Sequence, residues 1–185
     1  MEGMWFKVVG RVKPVTYYLI LACVLFYIPC VITTNFLTSY GSSYEYTIGQ
    51  GQFYRLLTCI FCHGGLMHLL CNMFSLYTLG KVIEVIYTPK KMLTIFLTTG
   101  ICASLFSVFM HHYFSQDVLS IGASGAICGL VGAYLVQSKR HNLITFEGIL
   151  SWIVPIIVMS LLPGIDLYAH LGGIISGCII GGLLK

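Results

Sequence analysis

The sequence predicts an all-α membrane protein: a compact bundle of six transmembrane helices. Three observations predict it. Of 185 residues, 57% are hydrophobic and only 9% are charged, against about a quarter charged in an ordinary soluble domain. A soluble chain of this size would lack the polar side chains to cover its surface. The apolar residues run in continuous blocks, not in the alternation of a membrane β-barrel. The basic residues fall on one side once the blocks are counted as six crossings.

The blocks are residues 15–33, 66–87, 92–110, 126–137, 149–162 and 167–184. A crossing needs about 20 residues, with ~17 as the practical minimum; the fourth and fifth blocks are short. With a cytoplasmic N-terminus, Lys7, Arg11, Lys13, Lys81, Lys90, Lys91, Lys139, Arg140 and Lys185 lie inside, and Arg55 alone lies outside. Losing one crossing would put the later basic pairs on the wrong side. The chain then divides into a short cytoplasmic lead, residues 1–13, and a membrane domain, residues 14–185. The first block is read as a retained helix. It is too long for a signal-peptide core, and no small-x-small cleavage site follows closely. Both termini are expected in the cytoplasm and the protein in the cell (plasma) membrane. The net charge of +4 is topological, and no nucleic-acid patch is visible.

Residues 34–65 form a long outer loop of the kind that often carries function. Its Tyr40, Tyr44, Tyr46 and Tyr54 suit the headgroup level. Most of the eight cysteines sit in apolar runs, where Cys behaves as a small hydrophobe. Cys59 and Cys62, followed by His63, have suggestive spacing. A zinc site needs about four ligands, and no second pair exists. Neither a metal nor another cofactor is expected.

Polar residues inside the blocks carry the chemistry, because each costs free energy in hydrocarbon. Ser124, in Gly122-Ala123-Ser124-Gly125, opens the fourth helix. Alone it reads as a helix N-cap, and a nucleophile needs a base within reach. His170 is the candidate base. Ser124 is 15 residues before Lys139 and His170 is 15 before Lys185. At 1.5 Å per residue both stand ~22 Å above their basic ends, just below the outer surface of a ~30 Å core. Gly125, Gly129, Gly132 and Ala133 on one helix, and Gly173, Gly177 and Gly181 on the other, permit close backbone approach. His68 and Asn72 share a face of the second helix and can donate to an oxyanion, as can the Ser124 amide at a helix N-terminus. Taken singly, His170, His68 and Asn72 read as interhelical glue; taken together they read as a site. Asp166 reads as a helix cap, so the expectation is a Ser–His dyad.

The motifs resemble the rhomboid family of intramembrane serine proteases across nearly the whole chain. They are Arg55, then His63 through His68 to Asn72, then Gly80 with Glu84, then Gly122-Ala123-Ser124-Gly125, and Ala169-His170-Leu171-Gly172-Gly173 with Gly177. The resemblance implies a six-helix bundle with a water-filled cavity open to the outside. It implies Ser124 as nucleophile, His170 as base, and His68 and Asn72 at the oxyanion. It implies structural roles for Arg55, His63, Glu84, Gly122, Gly125, Gly173 and Gly177. The substrates it implies are membrane proteins with a transmembrane segment, met in the lipid bilayer. Two positions depart from the family's pattern: Tyr54 stands where Trp is frequent, and Cys128 stands where an aromatic ring often packs on the catalytic His.

The principal alternative is a weak or inactive rhomboid-like protein that binds membrane clients. A channel or transporter is disfavoured by the single polar cluster and the absence of paired half-helices. A zinc protease is disfavoured because no His-Glu-x-x-His occurs, and a carboxylate-pair protease because no two carboxylates face each other at one depth.

Overall fold

The computed structural model describes residues 15–141, 147, 150, 154, 156, 160–162 and 164–184. The expected cytoplasmic lead, most of the expected fifth crossing (residues 149–162) and Lys185 lie outside the described residues. The described helices are α1 (Val15–Ile32), α2 (Thr34–Tyr40), α3 (Arg55–Thr58), α4 (Leu66–Tyr87), α5 (Pro89–Tyr113), α6 (Ser124–Arg140) and α7 (Leu167–Leu183), with a π-helical turn at Glu45–Gly49. Among these residues the only strand-like pairing is an isolated antiparallel bridge between Ser42 and Ser120.

Three helices, α1, α4 and α5, are long and apolar enough to cross a membrane, and α7 is a shorter apolar helix. Helix α4 matches the expected block, and α1 and α7 each end one residue early. Helix α5 extends three residues beyond its block at each end. Its first turn opens on Pro89, whose missing N–H costs nothing at a helix start; Lys90 and Lys91 follow. Its last turn holds His111 and His112, polar enough to fall outside an apolar block. Helix α6 likewise reaches from Ser124 to Arg140. The outer loop is not irregular: it folds into α2, the π-helical turn and α3. None of these short pieces has the length for a hydrophobic period to emerge from sequence.

Helices α6 and α7 run parallel and touch along their glycines. A Cβ on Gly173 would lie 2.1 Å from the Gly125 carbonyl oxygen, one on Gly177 2.0 Å from that of Gly129, and one on Gly181 2.6 Å from Ala133 Cα. The register advances four residues at each step on both helices, so one small face meets another over three turns. Without a solvent-driven hydrophobic force inside a bilayer, such van der Waals contact supplies the association. At the far end the Tyr87 hydroxyl reaches the carbonyls of Ala133 (2.9 Å) and Gly181 (3.0 Å), fastening α4 to both helices.

The same end holds α1 against α4. Glu84, 5% exposed, accepts from the Thr16 amide at 2.6 Å and the Thr16 hydroxyl at 2.9 Å. A carboxylate at the first turn of α1 satisfies an otherwise orphaned amide and complements the helix dipole. Gly80 clears the space, since a Cβ there would meet Thr16 Oγ1 at 2.7 Å.

Candidate active site

Ser124 is the first residue of α6, and His170 lies in the first turn of α7. Between them the helices are in near contact: a Cβ on Gly125 would lie 3.4 Å from the Ala169 carbonyl oxygen. The residue after Ser124 thus faces the residue before His170. Both side chains stand at the same end of the parallel pair, opposite Lys139 and Arg140. Ser124 is half-buried, and His170 is buried.

Gly122 fixes the approach to Ser124. Its φ of +111° is one that a side chain rarely adopts. A Cβ there would also collide with His68, 2.7 Å from Nε2, and would lie 3.9 Å from Asn72 Nδ2. His68 and Asn72 therefore lie directly against the backbone two residues before Ser124. Asn72 is buried, and its amide nitrogen donates to the His68 carbonyl at 2.9 Å. That bond uses one of its two N–H hydrogens. The Gly122 amide donates to the Cys59 carbonyl at 2.9 Å, which anchors this segment to the outer loop.

His63 packs edge-on against His68, with ring centroids 5.1 Å apart. Its Nδ1 faces the Phe61 carbonyl at 3.1 Å, while Nε2 is buried without a partner. Burial and the neighbouring His68 lower its pKa to about 4, so it is a neutral ring at physiological pH. Arg55 sits further out and is buried. Its guanidinium donates to Gln52 Oε1 (2.6 Å) and to the carbonyls of Thr38 (2.6 Å) and Gly41 (2.8 Å), and lies 4.6 Å from the centre of the Tyr46 ring. One cation thus gathers α2, the π-helical turn and α3 into a single cap. Cys59 and Cys62 are free, buried thiols, and burial pushes both pKa values up.

Asp166 caps α7, accepting from the Ala169 amide at 3.0 Å. It does more than the sequence suggests. It also accepts from Ser107 Oγ (2.5 Å) and Ser120 Oγ (2.6 Å) and lies 3.2 Å from His111 Nε2. Burial opposes its ionisation, but the bonds from His111, Ser107, Ser120 and Ala169 outweigh it and hold the carboxyl at about 2. The network joins α5, α7 and the segment leading to Ser124. Ser107, His111 and Ser120 escaped the sequence reading because they lie 46–59 residues from Asp166 and follow no motif. A cavity of about 290 Å³ opens beside this network; its lining includes Glu45, His111, His112 and Asp117 but neither Ser124 nor His170.

Ser160 was missed as well. Its hydroxyl lies 2.5 Å from His170 Nδ1, across a turn of ten residues whose packing the sequence does not spell out. Cys128, at the departing position, is buried, and its Cβ is 3.1 Å from where Gly173 would carry one.

A helical membrane architecture with a serine, a histidine and two further polar side chains gathered at one end places the chain in the class of multi-pass helical membrane proteins. The family model described as Rhomboid domain matches residues 50–185. The chain is 36% identical over 144 residues to RHOMBOID-like protein 7 of Arabidopsis thaliana, covering 74% of this chain and 44% of that protein. It is 34% identical over 149 residues to Rhomboid protease GluP of Bacillus subtilis (strain 168), covering 78% and 28%. It is 31% identical over 192 residues to RHOMBOID-like protein 5 of Arabidopsis thaliana, covering 99% and 58%. The chain spans roughly a quarter to three-fifths of the length of these relatives. This chain belongs to the rhomboid family and is an all-helical, multi-pass membrane protein.

Proposed function

We propose that the protein is an intramembrane serine endopeptidase acting on membrane proteins with a transmembrane segment. One observation carries the reading: the glycine contact at Gly125 and Ala169 levels Ser124 with His170, while His68 and Asn72 lie against Gly122. The candidate nucleophile, base and oxyanion donors then stand at one end of the same helix pair. The name of the Bacillus relative, a rhomboid protease, points the same way.

The chemistry is acyl transfer. A substrate helix enters from lipid and unwinds locally, exposing the scissile amide. His170 takes the Ser124 proton as Oγ attacks the carbonyl. His68, the free Asn72 N–H and the Ser124 amide hold the oxyanion. His170 returns the proton to the leaving amine, and water then hydrolyses the acyl-enzyme. That water reaches the site through a cavity open to the extracytoplasmic side. The proposed location is the plasma membrane with both termini in the cytoplasm, a reading supported by the one-sided basic residues.

The test is gel-based cleavage of a transmembrane substrate in liposomes, with thermal melting as the folding control. Ser124→Ala keeps the fold, since Ala adds no bulk, and abolishes cleavage. His170→Ala abolishes it too, and the double variant is no worse, because the two act as one unit. Asp166→Asn leaves fewer acceptor sites for four donors and lowers stability by about 2 kcal/mol. The folded fraction keeps most of its activity, because the dyad does not use this carboxylate. Robust cleavage by well-folded Ser124→Ala protein would overturn the reading in favour of client binding.

A further inference from the structure

We infer that Ser160 is a positioning residue: it fixes the ring tautomer of His170 so that Nε2 is the bare, basic nitrogen. The inference rests on the protease reading and names the group that orients its base.

Ser160 is 3% exposed, and its Oγ has two close neighbours. The Ile156 carbonyl oxygen lies at 2.6 Å and His170 Nδ1 at 2.5 Å. A hydroxyl has one hydrogen and two lone pairs. The carbonyl can only accept, and an O···O separation of 2.6 Å is that of an O–H···O hydrogen bond. The Ser160 hydrogen therefore points at Ile156, and a lone pair faces His170. Nδ1 must then carry the ring's proton and donate it. In a neutral imidazole the other nitrogen, Nε2, is left as the acceptor.

The usual orienter of such a ring is a carboxylate, and the nearest one is already engaged. Asp166 accepts from Ser107, Ser120 and the Ala169 amide and meets His111. Its own link to His170 is through the backbone, where the His170 amide donates to the Asp166 carbonyl at 3.2 Å. Ser160 occupies the orienting position instead. When Nε2 takes the Ser124 proton, the ring becomes an imidazolium. The Nδ1–H···Oγ bond then becomes charge-assisted and strengthens. Ser160 touches neither substrate nor the reacting atoms; it acts through His170.

The test uses the full chain in detergent micelles, with ¹⁵N-labelled histidine. A His170→Asn spectrum assigns the His170 ring signals by difference. In the wild type, His170 shows a protonated Nδ1 and a bare Nε2. Ser160→Ala removes the acceptor, mixes the tautomers and lowers kcat with KM unchanged. A wrong tautomer costs about 10⁴-fold in a soluble serine protease that loses its carboxylate. A neutral hydroxyl orients less strongly, so the drop expected is roughly 10- to 100-fold. Ser160→Thr, which keeps the hydroxyl, restores both tautomer and rate. A wild-type ring protonated at Nε2 overturns the inference. So does a Ser160→Ala variant with unchanged kcat. If the wild type neither cleaves a substrate nor reacts at Ser124 with a fluorophosphonate, the protease reading fails. The resting tautomer is still read from the ring nitrogens and judges Ser160 by itself.

Discussion

Helices α1 and α6 differ in a way that inverts the rule for soluble proteins. Helix α1 is filled with Leu, Ile, Val, Tyr and Phe, yet only three of its 18 residues are buried. Helix α6 carries three glycines, two alanines and a cysteine, and 11 of its 17 residues are buried. In water the more apolar helix would be the central one. In a bilayer the lipid solvates large apolar side chains as well as the protein does, and the central place goes to the helix whose small face lets others close on it. The catalytic candidates ride on this central pair. The same closeness that buries α6 brings Ser124 level with His170.

The sharpest way to break this comparison is Gly177→Val. Its Cβ alone would sit 2.0 Å from the Gly129 carbonyl oxygen, which is backbone and has no rotamer to give way. Overpacking a close-packed core typically costs 1–3 kcal/mol, occasionally more, and this site is expected at or above the upper end. Thermal melting should show a large drop, and cleavage should vanish with the fold. The next effect tests the cap that roofs the site. His63 has its pKa lowered from the ordinary 6.5 to about 4. Above pH 6.5 it is neutral folded or unfolded and contributes nothing. Between 6.5 and 4 only the unfolded chain takes up the proton, so stability falls by up to about 3 kcal/mol as the pH drops. His63→Asn should flatten that slope in melting curves recorded across the window. Gly122→Ala comes third. A strained φ costs about 1–3 kcal/mol, and the methyl displaces His68, so turnover should fall more than melting temperature. The smallest effect is expected on α1. Leu25, 54% exposed, should change stability by no more than about 0.5 kcal/mol when replaced by Ala. A large loss there would show that α1 is held by its big side chains after all.

Much of this contrast was legible before the structure. Long apolar blocks mark α1, α4 and α7 to within a residue, because hydrocarbon tolerates few interruptions. Glycines at four-residue spacing mark the seam, and equal distances from the basic ends level Ser124 with His170. The cap was not legible. Helices of four to seven residues exist there because Arg55 gathers three carbonyl and amide oxygens from elsewhere in the loop, and sequence spacing does not encode those partners. Asp166 could be read as a cap from its place before α7, but its serines and histidine come from α5 and from the segment ahead of α6. Ser160 looks like any serine in an apolar run until packing sets it beside His170.

The bridge between Ser42 and Ser120 has a consequence in time rather than space. Their amides and carbonyls bond reciprocally, at 3.0 and 2.8 Å, and the Gly122 amide adds a third bond, to Cys59, at 2.9 Å. Two of these rungs close on Ser42 and one on Cys59, just after α3, so none can open without loosening the peptide ahead of Ser124. Deuterium should enter the amides of Ser42, Ser120 and Gly122 in concert, as one cooperative opening unit. The rate of that exchange is then a clock for how often the loop lifts and the floor of the site moves with it.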